Sequence, residues 1–306
     1  MIKNVDCQIN VSLFKNTDWV KIVLEPGHIL YFDHIGGFSK DYHNELLKSL
    51  LSGTTVYLEY LLPDYVKNQY PTLNFVFDAE LMISNNHMTD IVSYPELFNE
   101  PRTHFICSFN GSYHISRGLA VTELYRRKWF NARTCTKGFV VPNQDPAPGY
   151  INLFDYKNLD LQHNITVLSP IIQQCFVQLV TETVAESYVP FVTEKILFPC
   201  LNNTLWVAYA QPGYYQWVEK HLGFRRFSVF DYSFDSVQDP TQRLTVLLDM
   251  LAPFEHMSPA QWQEIYAQEA DTIAYNFEHA RNLGFVDTLR KFNERTNKIQ
   301  ASARLL

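Results

Sequence analysis

Short apolar runs rich in β-branched and aromatic residues recur along this chain, and stretches with helical spacing separate them. That alternation is the strongest constraint on its fold, because β-α-β order builds a mostly parallel sheet covered by helices. The first such run is His28-Ile-Leu-Tyr-Phe-Asp33, which ends at Ile35-Gly36-Gly37. A helical stretch with Leu46, Leu47 and Leu50 on one face follows, then Thr55–Tyr60, Leu73–Phe77 and Phe105–Phe109 as further strands. Asn110-Gly111 marks a turn, and 114–129 returns to helical spacing through Ile115, Leu119 and Leu124. No apolar run approaches the roughly 18 residues that would span a membrane.

Between 136 and 166 the pattern lapses. Gly138, Pro142, Pro146, Pro148 and Gly149 gather there, which reads as a linker or hinge. A second α/β pattern then begins. Phe176–Val180 reads as a buried strand ending at Thr181-Glu182-Thr183, and Thr193–Asn202 as a helix capped by Thr193. Leu205–Tyr209 is a strand, Gln211-Pro-Gly213 a turn, and Tyr214–His221 a helix stopped by Gly223. Phe227–Phe230 reads as one more short strand. Ser258-Pro259 with Gln261 spells a capping box for a helix running to about His279, and a last segment from Val286 is basic. The expected organisation is an N-terminal domain over 1–150, a second domain over 151–285, and a terminal helix over 286–306 that packs back on the first.

Composition narrows the function classes. At 46% hydrophobic and 19% charged, 306 residues have ample material for a core. Lys+Arg number 25 against 32 Asp+Glu, a net charge of −7, which disfavours a general nucleic-acid coat protein. Five cysteines, widely spread without metal spacing, fit a reducing compartment better than a disulfide framework. With no apolar signal core after Met1, the expected location is cytosolic. The chain has no GxxxxGK[ST] loop, no GxGxxG, no GxSxG elbow and no His/Cys/Glu cluster of metal spacing. Kinase, dehydrogenase, α/β-hydrolase and zinc-enzyme readings lose their support accordingly.

The residues that could carry chemistry sit after the strands. Lys195 falls in the first turn of a helix, where a cation is mildly unfavourable unless an anion joins it. Glu194 beside it can accept hydrogen bonds from a ribose diol, and Glu182 ends the preceding strand, where open α/β sheets face their ligands. Arg117, near the start of the helix after 105–109, offers a guanidinium to a phosphate. Asp33, His34, Gly36 and Gly37 end an early strand; the glycines allow close backbone approach, and Asp33 or His34 can serve as general base. Each pattern also fits a capped surface helix or a solvated loop. The basic runs 126–133 and 290–304 read either as solvated faces or as contacts to an anionic polymer.

Taken together, Phe176-Val-Gln-Leu-Val-Thr-Glu-Thr and Phe191-Val-Thr-Glu-Lys-Ile resemble the donor-binding region of the α1,3-fucosyltransferase family. The continuation through Gln211-Pro-Gly-Tyr and His221-Leu-Gly-Phe-Arg-Arg-Phe to Asp231-Tyr-Ser-Phe-Asp resembles a phage-encoded group of glycosyltransferase-like proteins, as does Phe105-Ile-Cys-Ser-Phe-Asn with Arg117. The resemblance implies an α/β chain of GT-B fold, two Rossmann-like domains facing a cleft, with C-terminal helices. It implies a nucleotide-sugar co-substrate and no metal or other cofactor. Lys195 and Arg117 would contact the donor diphosphate, Glu194 the ribose, and Glu182 the sugar or its phosphate. The general base would come from the N-terminal domain, Asp33 or a neighbour. Phage enzymes of this kind glycosylate hydroxymethylated bases of their own DNA, in the host cytoplasm, and the two basic runs would then contact DNA. A saccharide or small-molecule acceptor, and a non-catalytic nucleotide or glycan binder, are the alternatives. Leu205-Trp-Val-Ala-Tyr departs from the fucosyltransferase pattern, so the donor's sugar and base stay open.

Overall fold

The computed structural model describes residues 8–10, 29–32, 55–58, 68–77, 94–97, 101–110, 115–129, 161–182, 185 and 192–283. Asp33, His34, Gly36, Gly37, most of the expected hinge and the basic run 290–304 lie outside the described residues. The protein is mixed α/β, and both of its described sheets are wholly parallel. The first joins β1 (Gln8–Asn10), β2 (Ile29–Phe32), β3 (Thr55–Leu58) and β4 (Asn74–Phe77) in chain order. The second joins β5 (His104–Cys107), β6 (Cys175–Thr181) and β7 (Leu205–Tyr209), with β6 central. The chain divides into two compact units, Met1–Asn86 with Val286–Leu306, and His87–Phe285. A boundary at 150 separates β5 from β6, whereas the two strands pair from His104↔Cys175 onward.

Parallel strands need crossovers, and helices supply them. The helix α1 (Ile115–Arg126) follows β5, and α2 (Leu161–Gln173) leads into β6. Both pack on β6. The expected linker therefore ends earlier than 166: residues 161–166 are already helical, with Ile165, Leu168 and Ile172 fully or nearly buried. The helical spacing runs from Leu161 through Ile165, Leu168 and Ile172, but it follows directly on the proline-rich stretch, whose composition hides where it begins. Between β6 and β7 lies α3 (Leu197–Leu201), and after β7 come α4 (Tyr214–Trp217), α5 (Pro240–Leu251), α6 (Pro259–Gln268) and α7 (Ala270–Leu283). The α4 helix widens into a π-turn over Val218–Leu222 and stops at Gly223, whose φ is 80°.

Every residue of β6 and β7 is buried. A strand covered on both faces reads as a near-continuous apolar run, which is why these two were visible in the sequence. Trp262 on α6 seals one side; it stacks on Phe176 at 4.7 Å and 4° and lies 5.6 Å from Phe254. Trp206 of β7 stacks on Tyr215 at 5.7 Å and meets Phe227 edge-on at 6.2 Å.

Two expectations need correction here. Phe227–Phe230 is a turn, not a strand. Its backbone donors go to side chains, Phe227 N–H to the Tyr232 hydroxyl and Val229 N–H to Glu269 Oε1, so no ladder forms. The two phenylalanines are buried as anchors, which gave the segment its apolar look. The helix from Ser258 has its capping box, but it breaks at Glu269. That buried carboxylate also accepts from Ser228 Oγ at 2.6 Å, which ties the turn to the helix break.

Candidate functional site

The carboxyl ends of β5, β6 and β7 carry a run of buried polar residues: Ser108, Asn110, Thr181, Glu182 and Gln211. Polar groups are costly to bury unless they find partners. Asn110 Nδ2 donates to Ser108 Oγ at 3.1 Å, and Ser108 Oγ lies 3.5 Å from Thr181 Oγ1. The second of these contacts crosses from β5 to β6.

Glu182 follows β6 directly and keeps its pairing, its N–H donating to Tyr209 O at 3.0 Å. Its side chain has no exposed surface. Oε1 accepts from the Thr193 N–H and from the Tyr214 hydroxyl, each at 3.1 Å. Oε2 accepts from Thr193 Oγ1 at 2.7 Å. The carboxylate expected to face the sugar is thus occupied by the protein's own donors. Burial, reinforced by Glu182, holds the Tyr214 phenol well above its usual range, so the phenol remains a donor.

Thr193 does two jobs. As expected it caps the next helix, a 3₁₀ turn over Glu194–Ile196 that runs into α3, and its Oγ1 sits 3.5 Å from the Lys195 N–H. The same oxygen accepts from Lys195 Nζ at 2.7 Å. That ammonium lies 3.9 Å from Glu182 Oε2 and 3.5 Å from Glu194 Oε1. The Lys195 side chain is 17% exposed and Glu194 28%, so both reach the surface that Glu182 does not. The structure therefore brings Glu182, Glu194 and Lys195 together. Arg117 stands in the first turn of α1, after the strand next to β6, and is buried.

Two arginines that sequence reasoning missed frame the sheet. Arg243 of α5 is fully buried and donates to Ala185 O at 2.6 Å, Ala210 O at 2.8 Å, Gln238 O at 3.0 Å and Val237 O. It ties the segments after β6 and β7 to the loop before α5. The signal was present: Arg243 lies on the line of Leu247 and Leu251, and a cation on a buried stripe needs buried acceptors. At the opposite end Arg102 donates to the carbonyls of Ile172, Gln173, Cys175, Asn202 and Asn203 and to Thr204 Oγ1, at 2.7 to 3.2 Å. Two of these, Ile172 and Gln173, are orphan carbonyls at the end of α2.

Beside the site, Asp235 occupies the start of α4. Its carboxylate accepts from the Tyr215 N–H at 3.2 Å, and its carbonyl from the Gly213 N–H at 2.8 Å. Desolvation raises its pKa to about 6, against the pull of the Tyr215 and Tyr214 N–H groups and of Arg226 and Arg243. An internal carboxylate thus takes the place at this helix end that an anion could otherwise use.

The run 126–129 ends a helix. Arg126 bonds Glu123 Oε2 at 2.7 Å, Arg127 bonds Asp249 Oδ1 at 2.6 Å, and Lys128 is in the left-handed region at φ 61°. Among the described residues no group of three or more His, Cys, Asp or Glu is arranged to hold a metal ion, and no helix is long and apolar enough to cross a membrane.

No family model matches the chain, and no curated protein matches it. A solved structure of the DNA-modifying enzyme β-glucosyltransferase, determined with and without uridine diphosphoglucose, is similar over 86% of this chain and 73% of that one. The TM-score is 0.42 and the identity 11%. A likeness that shallow assigns no activity.

Proposed function

We propose that the chain is a nucleotide-sugar glycosyltransferase of GT-B architecture, whose donor site lies at the carboxyl ends of β5, β6 and β7. The observation that supports this reading is the Glu182–Thr193–Lys195 cluster: a cation held at the ligand-bearing edge of a parallel sheet, with Glu194 beside it. Edges of this kind are where open α/β sheets take nucleotides. In the proposed reaction the acceptor oxygen bonds to the anomeric carbon as that carbon's bond to the diphosphate oxygen breaks. Lys195 and Arg117 meet the charge that builds on the leaving diphosphate. Glu194 accepts hydrogen bonds from the ribose. The acceptor's proton goes to a carboxylate, for which Asp33 is the proposed base, with Gly36 and Gly37 giving close backbone approach.

The proposed acceptor is a hydroxymethylated base in DNA, which would have to leave the stack to react. A second reading, a saccharide or small-molecule acceptor, is favoured by the ion pairs on Arg126 and Arg127, since part of the basic surface proposed for DNA is already balanced by carboxylates. Affinity for DNA that falls steeply with salt would decide for the first.

A thermal-shift panel of nucleoside diphosphates and their sugars tests the donor site. At a hundred times its dissociation constant, the matching ligand adds about 2.7 kcal/mol of stability. Lys195→Ala should weaken that ligand by about 2 kcal/mol, roughly thirtyfold, as expected for a lost charge-assisted contact. Absence of any shift across the panel, at millimolar ligand and with acceptor present, would sink the transferase reading.

A further inference from the structure

We infer that Glu182 is a positioning residue: it acts on the donor through the Thr193 hydroxyl and the Lys195 ammonium, and does not touch the sugar. This rests on the reading of Lys195 as the diphosphate contact and assigns Glu182 a different role from the one its place at a strand end suggested.

The direction of the hydrogen bonds carries the argument. An ammonium has protons to give and no lone pair, so at 2.7 Å Thr193 Oγ1 must accept from Lys195 Nζ. The hydroxyl has a single proton, and it goes to Glu182 Oε2, also at 2.7 Å. The chain therefore runs one way, from Lys195 through Thr193 to Glu182. The far end is fixed as well. Glu182 Oε1 is held by the Tyr214 hydroxyl and by the Thr193 N–H, so the same threonine grips both carboxylate oxygens. Thr193 is extended, at φ −122° and ψ 177°, which lets its N–H and its hydroxyl face one carboxylate. A buried negative charge is costly unless it is paired and hydrogen-bonded. Here its field is felt 3.9 Å away by the one group of the three that reaches solvent. Held this way, the ammonium gives up rotamer freedom before a ligand arrives, which lowers the entropic cost of binding.

The arrangement makes Thr193 and Glu182 separable from Lys195. Thr193→Val keeps the shape and removes the hydroxyl; Thr193→Ser keeps the hydroxyl. Glu182→Gln can keep an acceptor toward the Thr193 N–H but sets an N–H where Oε2 stood, which turns that bond around and takes away the acceptor of the Thr193 hydroxyl proton. The test uses the full-length protein and two readouts. The first needs no nucleotide: pulse acylation of lysines with acetic anhydride, followed by peptide mass spectrometry. Lys195 should react at least about threefold faster in Thr193→Val than in the parent, relative to the other lysines, and at the parent rate in Thr193→Ser; loss of one hydrogen bond to a charged group is enough for this. The second is calorimetric titration with the nucleoside diphosphate that stabilises the parent. Thr193→Val and Glu182→Gln should each weaken it about tenfold, and Thr193→Ser less than about threefold. In a Lys195→Ala background Glu182→Gln should cost nothing more, because contacts in one chain are not additive.

Equal acylation of Lys195 in the parent and in folded Thr193→Val would overturn the inference. So would a loss from Glu182→Gln that adds in full to that of Lys195→Ala, since Glu182 would then meet the ligand itself. If no nucleoside diphosphate binds the parent, the donor-site reading fails, and the acylation result still decides whether Glu182 and Thr193 hold the lysine.

Discussion

At the scale of single residues, buried charge organises the second sheet. Arg243 shows what one side chain can hold. Its guanidinium fills a fork of carbonyls from three segments and is buried with them. Arg243→Met would leave those carbonyls without their donor, and the expected loss is about 3–5 kcal/mol, read as a lower urea midpoint. Asp235 sets a pH dependence. Its carboxyl sits at about 6 in the folded protein against an ordinary value of 3.8, so between those values the folded state binds more protons than the unfolded chain. Stability from this group therefore falls as pH rises through about 4 to 6 and stays flat above. Asp235→Asn removes the term while an amide oxygen can still accept from Tyr215. The variant's melting temperature relative to the parent should accordingly rise between pH 4 and pH 7; an unchanged difference would argue against the desolvated carboxyl.

Among the elements, helix ends explain what the sequence pattern left ambiguous. The basic run after Arg126 is a C-terminal cap. Trp129 N–H donates to Leu124 O at 2.8 Å and Lys128 N–H to Tyr125 O at 3.0 Å, the paired bonds of a Schellman motif with Lys128 in the left-handed position. Cations at that end also suit the helix dipole. A side chain at φ 61° carries strain that glycine avoids, so Lys128→Gly should stabilise the protein by about 0.5–1 kcal/mol in chemical denaturation, in spite of the added chain entropy. The reverse case is Gly223, at φ 80°, where a Cβ would lie 3.0 Å from His279 Nε2. There the backbone and the neighbour both require glycine. The helix stop read from Gly223 was thus legible for a local reason and is enforced by a tertiary one.

For the molecule as a whole, the division falls after Asn86, and β5 belongs with β6 and β7. Glu182, Thr193, Lys195, Tyr214 and Arg243 all lie within His87–Phe285. That segment expressed alone should unfold in a single transition by circular dichroism. If the donor site is complete within it, it should bind the nucleoside diphosphate within about tenfold of the full chain, a difference of about 1.4 kcal/mol. Non-cooperative melting would show that the unit needs the rest of the chain.

The sequence by itself determined the parallel α/β character, the β6 and β7 runs, the Thr193 cap and the Ser258 capping box. Each is written in a continuous stretch: a strand buried on both faces must be mostly apolar, and a cap is a matter of three or four adjacent residues. It also picked out Glu182, Glu194 and Lys195, but not how they meet. That Thr193 stands between a buried carboxylate and an ammonium depends on residues eleven apart folding back, and Tyr214 enters from thirty-two positions on. The same holds for Arg243 and its distant carbonyls, for the turn at Phe227–Phe230, and for the pairing of β5 with β6. In each case the partner is supplied by the tertiary structure, because hydrogen bonds and burial act between neighbours in space and leave no periodic trace in the chain.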